Sequence, residues 1–92
     1  MDIKSKTMAF SEASAKISGR KTVVGAKQLR KSLQGGSAVF VFLAKNADPA
    51  ITEPMEALCR TSNVEDAWIA TMADLGRACG IEVGAAAAAV LQ

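Results

Sequence analysis

The chain has 92 residues, half of them hydrophobic, and a formal net charge of +2 at pH 7. This length fits one domain with one core, and the composition argues against disorder. No apolar run reaches the roughly 18 residues of a membrane span, and no signal peptide is visible, so we expect a cytoplasmic protein. The charge is uneven: residues 1–45 have nine Lys and Arg against two acids, and residues 46–92 have two against seven, which indicates one face for a polyanion.

The first elements are short. Within a single domain spanning residues 1–92, we predict that residues 1–10 are a flexible or loosely packed N-terminus. Ser11 is the expected N-cap of a short helix over "EASAKIS" that stops at Gly19. "KTVV" is a short strand, and Ala26 to Gln34 is a helix closed by the glycine pair that follows it.

The second half of the chain continues the alternation. "SAVFVFLA" is an unbroken apolar run, typical of a central strand covered on both faces, and "NADP" is a turn. The next helix should run from Thr52 to Arg60, because Pro54 fits only a first turn. "AWIAT" is a third strand, Thr71 caps a helix ending at Gly80, and Ala85 to Leu91 is a last strand. Alternating elements predict an α/β/α sandwich on a mixed four-stranded sheet.

The helix from Ala26 to Gln34 has two distinct faces. Ala26, Leu29 and Leu33 share the side that must face the core, whereas Lys27, Arg30, Lys31 and Gln34 share another. A helix N-terminus is the positive end of its dipole, so cations there are unfavourable unless an anion binds. Gly25 precedes this terminus and allows close approach by a ligand. Gln28 can donate to and accept from a base edge, so the array suits nucleic-acid phosphates and bases.

Two stretches of the sequence resemble a known family. "VVGAKQLRKSLQGGSAVFVFLAKNADP" and "LGRACGIEVGAAAAAV" are similar to the kink-turn RNA-binding ribosomal-protein family, most closely to its small bacterial members. The resemblance covers roughly Lys16 to Leu91, and it implies an α/β/α sandwich. It also implies a partner, an RNA duplex bent at a bulge and flanked by sheared G·A pairs. That partner could be ribosomal RNA or a riboswitch.

The resemblance assigns roles to particular residues. Gly25 permits close backbone approach, Lys27 and Gln28 match positions that read the G·A edges, and Lys31 matches a phosphate contact. The loop "GIEV" matches one that packs on bulged nucleotides. With Arg30, which the helix-face pattern adds, the predicted RNA-binding residues are Gly25, Lys27, Gln28, Arg30, Lys31, Ile81, Glu82 and Val83. The chain departs from the archaeal branch, which has Asn-Glu in place of Lys27-Gln28, and from relatives with a Lys near Met72-Ala73.

Other readings remain open. The chain has no His and no Tyr, and no paired carboxylates stand out, so we do not expect an enzyme. We also expect no cofactor, no bound metal ion, no membrane partner and no small-molecule substrate. Cys59 and Cys79 fit no metal or redox spacing and are expected to be buried thiols. Ile81 and Val83 could instead be core residues. A protein-interaction adaptor on the same fold is the alternative function, with the acidic half and Trp68 facing the partner.

Overall fold

The computed structural model describes residues 7–92. In chain order the elements are α1 (Phe10–Ile17), β1 (Thr22–Val24), α2 (Ala26–Gln34), β2 (Ala38–Ala44), α3 (Pro49–Thr61), β3 (Glu65–Ile69), α4 (Met72–Ala78) and β4 (Ala87–Leu91). The strands form one sheet in the order β1-β4-β2-β3, with β2 parallel to β3 and β4 antiparallel to both β1 and β2. None of the helices in this part of the chain has the length and apolar character that crossing a membrane requires.

Each face of the sheet is covered by a pair of helices. On one face Phe40, Phe42 and Val90 pack with residues of α1 and α4, and on the other Val41 and Leu43 pack with α2 and α3. This arrangement confirms the α/β/α sandwich, and it explains why β2 is apolar throughout. Side chains of a central strand alternate between two covered faces, so both sets must be apolar.

The small residues of β4 also follow from this position in the sheet. Ala87, Ala88 and Ala89 are all fully buried, in a strand between β1 and β2. Alanine is a strong helix former, yet here tertiary burial overrides that preference. The predicted final strand is confirmed, although it begins at Ala87 rather than Ala85.

Two helix starts differ from the sequence prediction. Ser11 is not an N-cap: α1 begins at Phe10, and the carboxylate of Glu12 accepts a hydrogen bond from the backbone N–H of Ala9 at 3.2 Å. The third helix begins at Pro49 instead of Thr52. Its start is fixed by Asp48, whose side chain accepts from the N–H of Ala50 at 2.9 Å.

Pro54 therefore lies inside α3 and not in its first turn. A proline has no N–H, so the carbonyl group of Ala50 loses its usual helical partner. Both Ala50 and Pro54 are exposed, so water can hydrate that carbonyl group and the helix continues. The prediction failed because it treated Pro54 as a start signal, when Asp48 and Pro49 already supply one.

The other boundaries agree more closely with the prediction. The helix α2 has the predicted bounds, and α4 begins after Thr71, whose hydroxyl accepts from the N–H of Asp74 at 3.0 Å. The third strand lies at residues 65–69, two residues earlier than predicted. Of the N-terminal segment predicted to be loose, residues 1–6 lie outside the described residues. Thr7 forms a parallel bridge with Trp68, and Met8 is buried.

Candidate nucleic-acid interface

The proposed RNA-binding residues lie along one edge of the sheet. Because β1, β2 and β3 run in the same direction, their carboxyl ends meet at that edge, and the antiparallel β4 begins there. Four segments leave or enter the sheet at this edge: Gly25 with the start of α2, the turn after Ala44, the start of α4, and the loop of residues 79–86. We call this loop the α4–β4 loop. The fold thus brings two distant parts of the sequence together.

Two backbone hydrogen bonds hold the end of the α4–β4 loop and the first residue of β4 at the centre of this edge. The N–H of Gly25 donates to the carbonyl oxygen of Ala87 at 2.9 Å, and the N–H of Ala44 donates to that of Ala86, also at 2.9 Å. The loop therefore enters β4 between the ends of β1 and β2. The start of α2 is fixed relative to the loop by the first of these bonds.

Gly25 is the N-cap of α2 and has a conformation that favours glycine. Its φ is 104° and its ψ is 147°, and a Cβ atom built there would meet nothing within 4 Å. Space is open on this side of the backbone, so a ligand could approach it closely. No side chain caps the helix, and the first turn contains no acidic residue. The terminus therefore keeps its positive dipole end uncompensated.

The cations of α2 are exposed and unpaired within residues 7–92. Lys27, Arg30 and Lys31 are all exposed, while Leu29 and Leu33 on the other side of the helix are buried. Among the described residues, the two salt bridges instead involve Arg60 with Glu56 and Arg77 with Asp74. Positive charge at the start of α2 thus lacks partners within the described fold.

Gln28 lies beside these cations, on the first turn of α2. Its side chain is exposed, and its backbone carbonyl oxygen accepts a hydrogen bond from the hydroxyl group of Ser32 at 3.0 Å. Its amide group makes no hydrogen bond within residues 7–92. It can therefore turn both its donor and its acceptor toward a ligand.

The α4–β4 loop is held rigidly against α4. Gly80 has a φ of +80° and ends the helix, and the N–H of Ile81 donates to the carbonyl oxygen of Gly76 at 3.0 Å. This is a Schellman motif, which satisfies the last carbonyl groups of the helix. Further along, the N–H of Ala85 donates to the carbonyl oxygen of Met72 at 3.0 Å. The loop is therefore anchored at both ends.

The three predicted loop residues have different environments. Ile81 is half-buried and packs against the core on the α1 and α4 side of the sheet, so much of its surface is used in folding. Val83 is 70% exposed, the most exposed of the large hydrophobic residues in the described part of the chain. Glu82 is exposed as well. The alternative that both residues belong to the core therefore holds in part for Ile81 and does not hold for Val83.

Sequence reasoning missed two residues at this edge. Lys45 is exposed directly after β2, where its backbone N–H donates to the carbonyl oxygen of Ile69 at 2.8 Å. Asn46 accepts a hydrogen bond from the N–H of Met72 at 2.8 Å through its side-chain oxygen, and so holds the start of α4. The sequence signal that could have identified them is that a charged residue and an amide residue directly follow a buried strand.

The two cysteines show little sign of reactive chemistry. Burial raises the pKa of the Cys59 thiol to about 12, with Asp66 and Glu56 adding to the effect. Burial also raises the pKa of Cys79, which is half-buried rather than fully buried as predicted. Thiolate, the nucleophilic form, is therefore scarce at neutral pH. Within residues 7–92 no three His, Cys, Asp or Glu side chains are grouped so as to hold a metal ion.

Comparison with known proteins agrees with this architecture. An RNA-binding protein of Geobacillus sp. strain WCH70 is 42% identical over 72 residues, which is 78% of this chain and 88% of the relative. The large ribosomal subunit protein eL8 of Halobacterium salinarum is 35% identical over 68 residues, covering 73% of this chain and 57% of that protein. A 15.5 kDa RNA-binding protein of Giardia lamblia superposes with a TM-score of 0.75 at 25% identity, covering 90% of this chain and 68% of that one.

A family model covers nearly the whole sequence. Residues 8–92 match the model of the ribosomal protein L7Ae/L30e/S12e/Gadd45 family. The match includes both the start of α2 and the α4–β4 loop, and it agrees with the resemblance that the sequence itself suggested. The chain belongs to the ribosomal protein L7Ae/L30e/S12e/Gadd45 family.

Proposed function

We propose that this protein binds structured RNA in the cytoplasm, and that its preferred target is a kink-turn, a duplex bent at a bulge that is flanked by sheared G·A pairs. Family membership supports the general function, as do the names of the Geobacillus and Giardia relatives, both RNA-binding proteins. The preference for a kink-turn rests on the family resemblance of the residues at the carboxyl edge of the sheet.

The start of α2 supplies the electrostatic attraction in this proposal. Its exposed Lys27 and Lys31 have no salt bridge among residues 7–92, and no acid lies in the first turn. RNA phosphates would neutralise these charges and complement the helix dipole, because both favour an anion at this position. Arg30 lies next to them on the helix surface and adds a third cation to the same contact.

Close approach of the RNA depends on Gly25. A side chain at this position would project into the open space beside the start of α2. In the proposed complex that space holds the RNA backbone at the kink, and Lys27 and Gln28 reach the edges of the G·A pairs. Gln28 suits this role because its amide group offers both a donor and an acceptor.

The α4–β4 loop supplies an apolar contact. Val83 is largely exposed on a loop whose ends are fixed by backbone hydrogen bonds, so its position costs little to order on binding. Unstacked bases of a bulge have apolar faces that would otherwise meet water. In the proposed complex Val83 packs on such a base, with Ile81 supporting the loop from the core side.

One observation carries the proposal most strongly. The hydrogen bond from Gly25 to Ala87, the residue directly after the α4–β4 loop, places the uncapped, cationic start of α2 beside the loop that exposes Val83. A phosphate-binding element and a base-binding element thus meet at one edge of the sheet. A bent RNA presents backbone and unstacked bases close together, whereas a straight duplex keeps its bases stacked.

The test is a titration of the protein with a kink-turn RNA and with a straight duplex of equal length, at one salt concentration. The proposal predicts clearly tighter binding to the kink-turn. Equal affinities would mean that the cations bind RNA without regard to shape. An adaptor on the same fold would instead retain one protein partner in a manner insensitive to salt and would bind neither RNA.

A further inference from the structure

A second group of cations lies outside the proposed kink-turn contact. Residues 13–47 contain Lys16, Arg20, Lys21, Lys27, Arg30, Lys31 and Lys45 and no acidic residue. Of these, Lys16 has its ammonium group over the ring of Phe40, 4.5 Å from the centroid. Arg20 and Lys21 are exposed in the turn between α1 and β1, and they form no salt bridge within residues 7–92.

The fold places Arg20 and Lys21 beside the C-terminal end of α2. The carbonyl oxygen of Lys21 accepts from the N–H of Leu91 at 2.8 Å. The next residue, Gln92, donates through its backbone to Ser37 at 3.0 Å and through its side chain to Gly36 at 3.2 Å. Since Gly36 and Ser37 directly follow α2, this turn and the end of α2 share the amino edge of the sheet.

The exposed face of α2 runs from the carboxyl edge of the sheet, where the helix begins, to the amino edge, where it ends. Lys27, Lys31 and Gln34 are exposed at spacings of four and three residues, so they form one continuous line along the helix. Nine helical residues span about 13 Å at 1.5 Å each. Neither α2, β1 nor the turn before β1 contains an acid, so this line of positive charge is not interrupted.

We propose that the RNA contact extends from the kink along the exposed face of α2 to Arg20 and Lys21, which bind the phosphate backbone of a stem that flanks the kink. This proposal rests on the proposed function. The occupant is a duplex stem because this surface offers positive charge, and none of the large hydrophobic side chains exposed within residues 7–92 belongs to α2 or to the turn before β1. Contacts of this kind position a nucleic acid without reading its sequence.

The charges near β3, the outer strand on the side of the sheet opposite β1, determine the direction in which the stem leaves the kink. There β3 carries the exposed Glu65, and the neighbouring α3 carries the exposed Glu53. A stem that leaves the kink toward β3 would approach these acids, whereas one that follows α2 meets cations along its length. Charge complementarity therefore selects the β1 side of the fold.

The test uses three kink-turn RNAs: one with minimal stems, and two in which either one stem or the other is extended by about one helical turn. The wild-type protein should bind one of the extended RNAs at least several-fold more tightly than the minimal one at low salt. Replacing Arg20→Gln and Lys21→Gln together should remove that gain and leave binding to the minimal RNA unchanged. The slope of log affinity against log salt should fall by up to about two units on the extended RNA only.

The control is Arg60→Gln, which removes one exposed cation from α3 and should leave all three affinities unchanged. If the wild-type protein gained nothing from either extension, the extended contact would be refuted, and this comparison needs no variant. An equal loss on minimal and extended RNAs in the double variant would also refute it. Failure of the wild-type protein to bind the minimal kink-turn would instead refute the proposed function, and this inference with it.

Discussion

Gly76 in α4 lies directly against the carbonyl group of Val83, and a Cβ atom at Gly76 would collide with the Val83 oxygen. The contact is with backbone on both sides, so no flexible side chain can move away. The α4–β4 loop therefore has its present position only because residue 76 is a glycine. The exposure of Val83 depends on this close packing.

Replacing Gly76→Ala should displace the loop. We expect the free energy of unfolding to fall by about 1–3 kcal/mol, the usual range for overpacking a tight contact. Binding of kink-turn RNA should weaken as well, because the loop would move relative to α2. Thermal melts and RNA titrations measure the two effects. Ala15→Ser, an exposed change in α1, should alter neither by much, and an unshifted melting temperature for Gly76→Ala would contradict the packing argument.

The two apolar loop residues should respond differently to truncation. Val83→Ala should change the free energy of unfolding by less than about 0.5 kcal/mol, since the side chain is largely exposed, yet it should weaken RNA binding. Ile81→Ala should destabilise the free protein measurably, because Ile81 packs against the core. Denaturant unfolding without RNA, paired with RNA titration, separates the roles. A strong destabilisation by Val83→Ala would make that residue part of the core.

Lys27 should show opposite effects on stability and on binding. It opposes the helix dipole by roughly 0.3–1 kcal/mol at low salt and less when exposed, so Lys27→Gln should leave free-protein stability unchanged or slightly raised. The same change should weaken RNA binding and flatten its salt dependence. Lys31→Gln is the matched control: it should lose a phosphate contact too, but relieve less dipole repulsion because it lies deeper in α2. A Lys27→Gln protein that melts several degrees lower and binds RNA normally would make Lys27 structural.

The raised pKa of Cys59 predicts a loss of stability at high pH. Its pKa is about 12 in the folded protein, raised first by burial, and 9.0 in an unfolded chain. The unfolded state therefore loses its proton first, so the contribution of Cys59 is fully present below about pH 9 and declines as pH rises toward 12. Lysines also titrate in this range, so the comparison is with Cys59→Ala, whose free energy of unfolding should decline less steeply. Parallel curves would contradict the assignment.

Local signals explain which parts of the fold could be predicted. Gly25 and the pair Gly35-Gly36 mark both ends of α2, and the bounds of that helix were predicted correctly. The start of α3 was missed because two prolines compete, and only the contact of Asp48 with Ala50 shows which one begins the helix. Even in the strand predicted most clearly, the register shift between Ala38 and Phe40 had no visible signal.

The residues of the candidate site could be predicted from the sequence, but their spatial arrangement could not. The cations of α2 and the "GIEV" loop were visible as residues, and the family resemblance paired them. Their proximity, through the hydrogen bond between Gly25 and Ala87, depends on the order of the strands in the sheet, which local sequence patterns do not reveal. The support of Met72 by Asn46 was invisible for the same reason.

The most direct test of the account asks whether Gln28 reads the G·A pairs. Wild-type protein, Gln28→Ala and the control Thr61→Ala, an exposed change at the end of α3, are titrated with a kink-turn RNA and with the same RNA in which Watson–Crick pairs replace the G·A pairs. The account predicts that Gln28→Ala loses about 1–3 kcal/mol on the kink-turn, by analogy with base readout on DNA, and almost nothing on the altered RNA, while Thr61→Ala changes little on either. An equal small loss for Gln28→Ala on both RNAs would contradict readout by the start of α2.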